Sequence, residues 1–410
     1  MRKLTLPFLA AAGIAAVLNA APVQAADTIT IGMAGPITGD LAEFGAQLKR
    51  GAEQAVADIN KAGGVLGKQL KLEEGDDACD PKQAPIVAND LVSKGVVFVA
   101  GHFCSGSSIP ASAVYHDEGV LQITPASTNP KLTDDAAKSG WKTVFRTCGR
   151  DDQQGSFAGP WIAQHYPGKN VAIVHDKSPY GQGLADLTKA AMNQAGMKEA
   201  LYEAITPGEQ DYTALVTKMK QAKIDVIYFG GYHPEAALIV KQSRDQGLQA
   251  PLLSGDSLNT QEFATLAGKA SDGVMFTNAA EARNLPSAKG VVDEFRAQGF
   301  EPEGYTLSTY AAVQVWSQAV TEAGTTDSEK VAATLRSHQW DTVIGKLGFD
   351  AKGDLTAATY VWYVFKDGKY TELAPPVATA SVEVPADQAE VVKAFSSFLT
   401  ELTKYLKNAQ

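Results

Sequence analysis

The sequence predicts an α/β fold of two doubly wound parallel-sheet lobes. Two observations carry this: strand-like runs alternate with helical runs of ten or more residues, and the same succession occurs twice. In the first half a buried run at 28–35 (TITIGMAG) leads to Phe44-Gly45 and a helical pattern over 47–60. A strand at 69–74, a helix at 82–94, a strand at 96–101 and a loop at 102–108 follow, then a strand at 120–124 running into 125–128. In the second half 170–175 (NVAIVH) leads to Tyr180-Gly181 and a helical pattern over 184–195. Its next steps are 200–205, 211–222, 224–230, the loop 231–235, and a strand at 251–254 running into 255–257. Parallel sheets hold ligands beyond the carboxyl ends of their strands. Two such lobes predict two sets of strand-end loops facing one another across a cleft suited to a small molecule.

The two ends of the chain read differently. Arg2 and Lys3 precede an apolar stretch, and Val23-Gln24-Ala25 supplies small residues for cleavage, which predicts an export signal over 1–25. No cysteine stands directly after that cleavage point, and nothing later reaches the ~18 consecutive apolar residues of a membrane span. The expected location is the periplasm. The roughly 385 remaining residues exceed the ~250–300 that one core organises, so two domains are expected. At the other end, Val391, Phe395, Phe398, Leu399, Leu402 and Leu406 form one helical stripe behind Pro375-Pro376. This predicts a helical extension over 379–410, docking on the second lobe or serving a partner. The formal net charge of −10 leaves no electrostatic footprint for nucleic acid.

Of the three cysteines, Cys79 and Cys104 each follow a strand of the first lobe. Loops at one end of adjacent strands bring α-carbons within bridging distance, so Cys79–Cys104 is favoured over a pairing that involves Cys148. The loop His102-Phe103-Cys104-Ser105-Gly106-Ser107-Ser108 opens a helix with three hydroxyls and a glycine. Helix-start amides and serine hydroxyls together suit a carboxylate, where capping would need one hydroxyl. Asp256, after the last strand of the second lobe, suits an ammonium group or serves as a helix cap. Phe44, Tyr180, Tyr232 and Tyr305 lie in or beside strand-end loops, where aromatics wall apolar pockets. The six histidines show no metal-like spacing, and the cysteine and serines lack a nucleophile motif. No enzyme, metal or cofactor is expected.

These residues carry a resemblance. Gly35-Pro36, Gly51-Ala52-Glu53-Gln54, Asp76-Asp77-Ala78-Cys79-Asp80-Pro81, Gly101-His102-Phe103-Cys104-Ser105, Ile123-Thr124-Pro125-Ala126, Val174-His175-Asp176-Lys177, Gly230-Gly231-Tyr232-His233-Pro234-Glu235 and Gly353-Asp354-Leu355 stand in register over roughly 28–372. The chain resembles the branched-chain amino-acid-binding proteins of ABC uptake systems, the type I periplasmic binding fold. The resemblance implies a Venus-flytrap clamp with a three-strand hinge, lobe 1 over 26–147 and 278–344 and lobe 2 over 148–277 and 345–378. It implies that Ser105 and the loop Ala126-Ser127-Thr128 hold the ligand carboxylate and that Asp256 holds its ammonium. Tyr180 and Tyr232 would close over the ligand, and Phe44 and Tyr305 would line its side chain. The disulfide Cys79–Cys104 is implied as well. The expected partners are a leucine-, isoleucine- or valine-like amino acid and the membrane subunits of an ABC permease, with the protein itself a monomer. A ligand sensor feeding a signalling partner is the other function such a clamp serves. Asp256 stands where the family's leucine binders usually carry Glu, and Phe44 where Tyr is usual.

Overall fold

The computed structural model describes residues 28–373. The expected export signal over 1–25 and the extension over 379–410 lie outside the described residues. Backbone contacts divide the chain into two compact units, each built on its own sheet. The first takes the chain up to Ser127, Lys131–Thr147 and Gly290–Thr356; the second takes Thr128–Pro130, Cys148–Lys289 and the described residues from Ala357 onward.

The first unit opens with β1 (Thr28–Gly35), α1 (Ala42–Lys61), β2 (Gln69–Asp76), α2 (Gln83–Ser93), β3 (Phe98–Gly101), α3 (Ser105–Asp117), β4 (Leu121–Thr124), α4 (Lys131–Lys138) and β5 (Val144–Arg146). All five strands pair in parallel, in the order β2-β1-β3-β4-β5. The second unit continues with α5 (Asp151–His165), β6 (Val171–His175), α6 (Pro179–Gln194), β7 (Leu201–Ala204), α7 (Thr213–Gln221), β8 (Val226–Gly230), α8 (His233–Asp245), β9 (Leu252–Ser254), α9 (Gln261–Ala267) and β10 (Met275–Asn278). The chain then supplies α10 (Lys289–Ala297), α11 (Thr306–Ala323), α12 (Ser328–Leu335) and the hairpin strands β11 (Trp340–Thr342) and β12 (Gly345–Leu347). It ends with β13 (Val361–Lys366) and β14 (Lys369–Glu372), which join the second sheet antiparallel, giving β14-β13-β10-β9-β8-β6-β7. The five parallel strands of the second sheet repeat the order of the first. In both, the first crossover runs one way and the rest run the other, which sets a switch point between β1 and β3 and between β6 and β8.

Side chains cover these sheets as the strand periodicity requires. In the first unit α2 and α3 pack Val87, Leu91, Ala111 and Tyr115 on one face. On the other face lie α1 and α11, with Trp316 stacked on Phe98 at 4.8 Å. In the second unit α7, α8 and α9 bury one face around Phe229, Phe263, Phe276 and Phe365, while α5 and α6 lie on the other. Gly155 and Gly159 let α5 approach α6 closely. A methyl at Gly155 would sit 2.9 Å from the backbone of Leu187 and Thr188, and one at Gly159 2.5 Å from the Met192 nitrogen.

Three helices, α1, α6 and α3, start earlier than the periodicity predicts. Helix α1 already runs from Ala42, and Phe44 and Gly45 are in it. Glycine there is a close approach and no breaker: a methyl would collide with the Pro36 carbonyl oxygen. Its repeat counterpart Gly181 lies in α6, where a methyl would collide with the Gly230 carbonyl oxygen and the Asp176 carboxylate. Helix α3 begins at Ser105, so the serines expected in a loop form its first turn. The chain also stays with the second unit past 278, because the Tyr363 hydroxyl donates to the Ala279 carbonyl at 2.8 Å and Arg283 lies over the Tyr370 ring.

Cys79 and Cys104 are bonded, with α-carbons 5.6 Å apart, and Cys148 is half-buried elsewhere. The bridge closes a loop of sequence separation 25. In the chain-entropy relation a loop of that size is worth ~3.5 kcal/mol. Cys79→Ser with Cys104→Ser is therefore expected to lower unfolding free energy by about that amount. Denaturant titration checks this, and an unchanged midpoint would contradict it.

Candidate ligand-binding rims

On the first unit, the carboxyl ends of β1, β3 and β4 deliver their loops to one rim. Ser105 opens α3 directly after β3 and is buried. In the first turn Ser107 and Ser108 donate their amides to the Cys104 carbonyl at 2.9 Å. The other amides of such a turn point out of the helix toward whatever occupies the rim. The His102 carbonyl accepts from Thr124 Oγ1 at 2.6 Å and from Ser108 Oγ at 3.2 Å. Ser127 Oγ donates to the Phe103 carbonyl at 2.8 Å and lies 2.6 Å from Ser108 Oγ. Thus two of the predicted serines brace the rim, and Ser105 stands at its helix start. Ala126 is buried beside them, with its amide on Thr124 Oγ1. The hydroxyl of Ser107 is buried with no hydrogen-bond partner among the described residues.

This rim is held from below by buried polar groups whose bracing role no motif in the sequence marks. The His102 ring bridges Asp77 at 2.5 Å and the Tyr115 hydroxyl at 2.8 Å, all three buried. Burial, then the Asp77 carboxylate, pushes the Tyr115 phenol well above its ordinary range. Arg146 is fully buried at the end of β5, with Nε 2.7 Å from Asp354. It donates through Nη1 to the Ser127 carbonyl at 2.6 Å and through Nη2 to Thr133 Oγ1 at 2.9 Å. Removing one side of a buried charge pair costs about 3–5 kcal/mol, so this fixture is expensive to break. Its signal in the sequence was a lone arginine closing an apolar strand. Phe44 stacks on Phe103 at 4.5 Å, and Tyr305 meets both rings edge-on at 5.5 and 5.0 Å. Phe103, between His102 and Cys104 in sequence, completes that aromatic trio.

The second unit presents Thr128, Tyr180, Tyr232 and Asp256. Thr128 accompanies this unit, its carbonyl accepting from the Asp151 amide at 2.9 Å. Its hydroxyl is buried without a hydrogen-bond partner among the described residues. Asp256 is 3 % exposed in the short turn after β9 and accepts from the Tyr180 hydroxyl at 3.0 Å. Burial first, then the carboxylates of Asp256 and Asp151, pushes the Tyr180 phenol well above its ordinary range, so it remains a donor. The Tyr180 and Tyr232 rings lie 5.1 Å apart. Ser257 ties the turn to the end of β8 by donating from Oγ to the Gly231 carbonyl at 2.6 Å. The cap of the following helix is Thr260, whose side chain accepts from the Glu262 amide, and not Asp256. The carboxylate is thus a rim group.

Residues 28–369 match the family described as "Periplasmic binding protein". The chain belongs to the periplasmic binding protein family. It is 48% identical over 346 residues to the Leu/Ile/Val-binding protein homolog 1 of Brucella melitensis, covering 83% of this chain and 92% of that one. It is 44% identical over 354 residues to the leucine-, isoleucine-, valine-, threonine-, and alanine-binding protein of Pseudomonas aeruginosa, covering 85% and 93%. Among solved structures, the leucine binding protein LivK of Thermotoga maritima matches with a TM-score of 0.78 and 27% identity, covering 84% of this chain and 98% of that one. LivJ of Streptococcus pneumoniae in complex with isoleucine matches at 0.76 and 27%, covering 85% and 100%. The two-lobed α/β fold is that of the type I members of this family.

Burial raises the proton affinity of one carboxyl group of the second unit. Asp176 lies at the β6–β8 switch point, where burial pushes its carboxyl up to about 6 against hydrogen bonds from Ser178, and Glu235 adds to the rise. The unperturbed value is 3.8. A folded pKa above the unfolded one means that the folded state holds the proton more firmly. The contribution is fully present below about pH 4 and is lost as pH rises through about 6, a swing of ~3 kcal/mol. In Asp176→Asn this part of the pH dependence is expected to vanish. Guanidinium midpoints compared between pH 4 and 7 check it; equal slopes for both proteins would refute the assignment.

Proposed function

We propose that this protein binds an apolar α-amino acid, branched-chain by preference, in the periplasm and delivers it to the membrane permease of an ABC transporter. The observation that carries the reading is the chemistry of the two rims. One offers a serine-rich helix start with buried hydroxyls and an aromatic trio; the other offers a buried carboxylate held by a tyrosine. A zwitterion needs both. In this reading Ser105, with the loop Ala126-Ser127-Thr128, takes the carboxylate, Asp256 takes the ammonium, and Tyr180 and Tyr232 flank it. Phe44 and Tyr305 take the side chain. The names of the Brucella and Pseudomonas relatives support the amino-acid class, and the description of LivJ of Streptococcus pneumoniae as a branched-chain amino acid transporter substrate binding protein favours uptake over a sensing role. The protein acts as a monomer without catalysis, exported by residues 1–25. Ligand contacts that differ between open and closed states supply the only drive for closure.

Titration calorimetry with leucine, isoleucine, valine, alanine and phenylalanine tests the proposal. Binding of the branched amino acids is expected, and silence with all five would end it. Asp256→Asn keeps the shape and the tyrosine bond but removes the charge. Losing a charged hydrogen bond of ~1.5–3 kcal/mol weakens affinity about tenfold or more. The thermal midpoint should hardly move; an unaltered affinity would assign Asp256 to structure alone. Phe44→Tyr adds a hydroxyl to a tightly packed ring cluster. It is expected to change the leucine-to-phenylalanine affinity ratio by about tenfold, the effect of ~1.4 kcal/mol. An unchanged ratio would remove Phe44 from the side-chain site.

A further inference from the structure

The second unit carries a groove away from its rim. About 610 Å³ in volume, it opens between the last turns of α8 and α9, within the ~300–1,000 Å³ of small-molecule sites. Gln249 and Asp272, which line it, precede β9 and β10, so it lies at the amino ends of these parallel strands. Asp256 follows the carboxyl end of β9, at the other end of the sheet. Arg244 is the fixed point of the groove. Its Nη1 donates to the Leu248 and Ala250 carbonyls at 2.8 and 2.9 Å, which ties α8 to the turn before β9. That tie uses one terminal nitrogen. The Nε–Nη2 edge of the half-buried guanidinium makes no hydrogen bond or ion pair among the described residues. Burial lowers the Arg244 pKa from its ordinary value, and no carboxylate offsets the fall. Lys241 stands one turn earlier on the same face of α8, and Lys269 enters from the turn after α9. Both lysines are exposed and in no ion pair among the described residues.

We infer that this groove binds a monoanionic phosphodiester that carries hydroxyls, a phosphoglycerol group. The planar Nε–Nη2 fork of an arginine matches two oxygens of a carboxylate or a phosphate. A carboxylate would lie in the plane of that fork. A tetrahedral phosphate carries oxygens out of the plane, toward a lysine on each wall. Three cations against the acids Asp245 and Asp272 leave one net positive charge, in a chain of formal charge −10. One charge balances a diester. Asp272 is already engaged, since its Oδ1 accepts the Asp367 amide at 2.8 Å. Asp245, Gln249 and Thr265 are exposed on the groove and supply partners for hydroxyls. Leu266, 45 % exposed beside them, meets the carbon backbone of the ligand. The same group occurs on a free glycerophosphodiester and on the headgroup of phosphatidylglycerol. Its binding here is independent of whatever the rims hold.

Calorimetric titration of the full chain with glycerophosphoglycerol tests this, together with co-sedimentation on vesicles of phosphatidylcholine with and without phosphatidylglycerol. Heat from the soluble diester would assign the groove to the free compound. Binding confined to vesicles that contain phosphatidylglycerol would assign it to the bilayer headgroup. Lys241→Gln with Lys269→Gln, both at exposed positions, is expected to weaken whichever binding is seen about tenfold or more and to leave the thermal midpoint unchanged. Arg244→Lys keeps the charge and loses the fork, and it should weaken binding at least as much. The proposal is overturned if neither the soluble diester nor the vesicles bind. It is equally overturned if the lysine pair and Arg244→Lys both leave the binding unaltered, which would place the diester elsewhere on the protein.

Discussion

Parallel strand pairing is the constraint on which the rest of this molecule depends. Antiparallel neighbours would deliver alternate ends to opposite sides of a sheet. Parallel neighbours deliver every carboxyl end to the same rim, at the cost of a long crossover each time. Gly35, Gly101 and Thr124 close three strands far apart in sequence, yet their loops share one rim of the first unit. His175, Gly230 and Ser254 do the same in the second. The order of strands then opens a switch point in each sheet, and the candidate side chains gather around it.

A rim made of loops needs anchors, and this protein uses buried polar fixtures. Arg146, paired with Asp354, holds the Ser127 carbonyl from beneath, while Asp77 and Tyr115 hold the His102 ring. The His102 carbonyl in turn collects hydroxyls from the neighbouring loops. Such groups are tolerable inside a protein only when paired, since a lone buried charge would be neutralised or expelled. Pairing makes them rigid, which keeps Ser105 and its neighbours in position before any ligand arrives. The second unit relies on the Tyr180–Asp256 bond and the Ser257 tie for the same purpose.

Much of the fold was legible because hydrophobic periodicity is local. The strands read at 28–35, 69–74 and 224–230, found at 28–35, 69–76 and 226–230, and the doubled aromatic-glycine pair follow from spacing within a few residues. The starts of α1 and α3 were less legible. Gly45 and the serines after Cys104 look like breakers in sequence, but a close strand-end contact and a shared Cys104 carbonyl make them helical. The rim residues Ser105 and Asp256 stood out by their place after a strand. Phe103 and Arg146 did not, because their roles come from partners at 44, 305, 127 and 354.

By itself, the sequence determined the repeated βα plan, the family, the disulfide and the side of each sheet where polar residues collect. These depend on spacing along the chain. Only the tertiary structure decided which buried group braces which loop and that Phe103 joins Phe44 and Tyr305. The physical reason is distance: a hydrogen bond or a ring contact acts over a few ångströms in space, and chain order says little about which distant residues come that close.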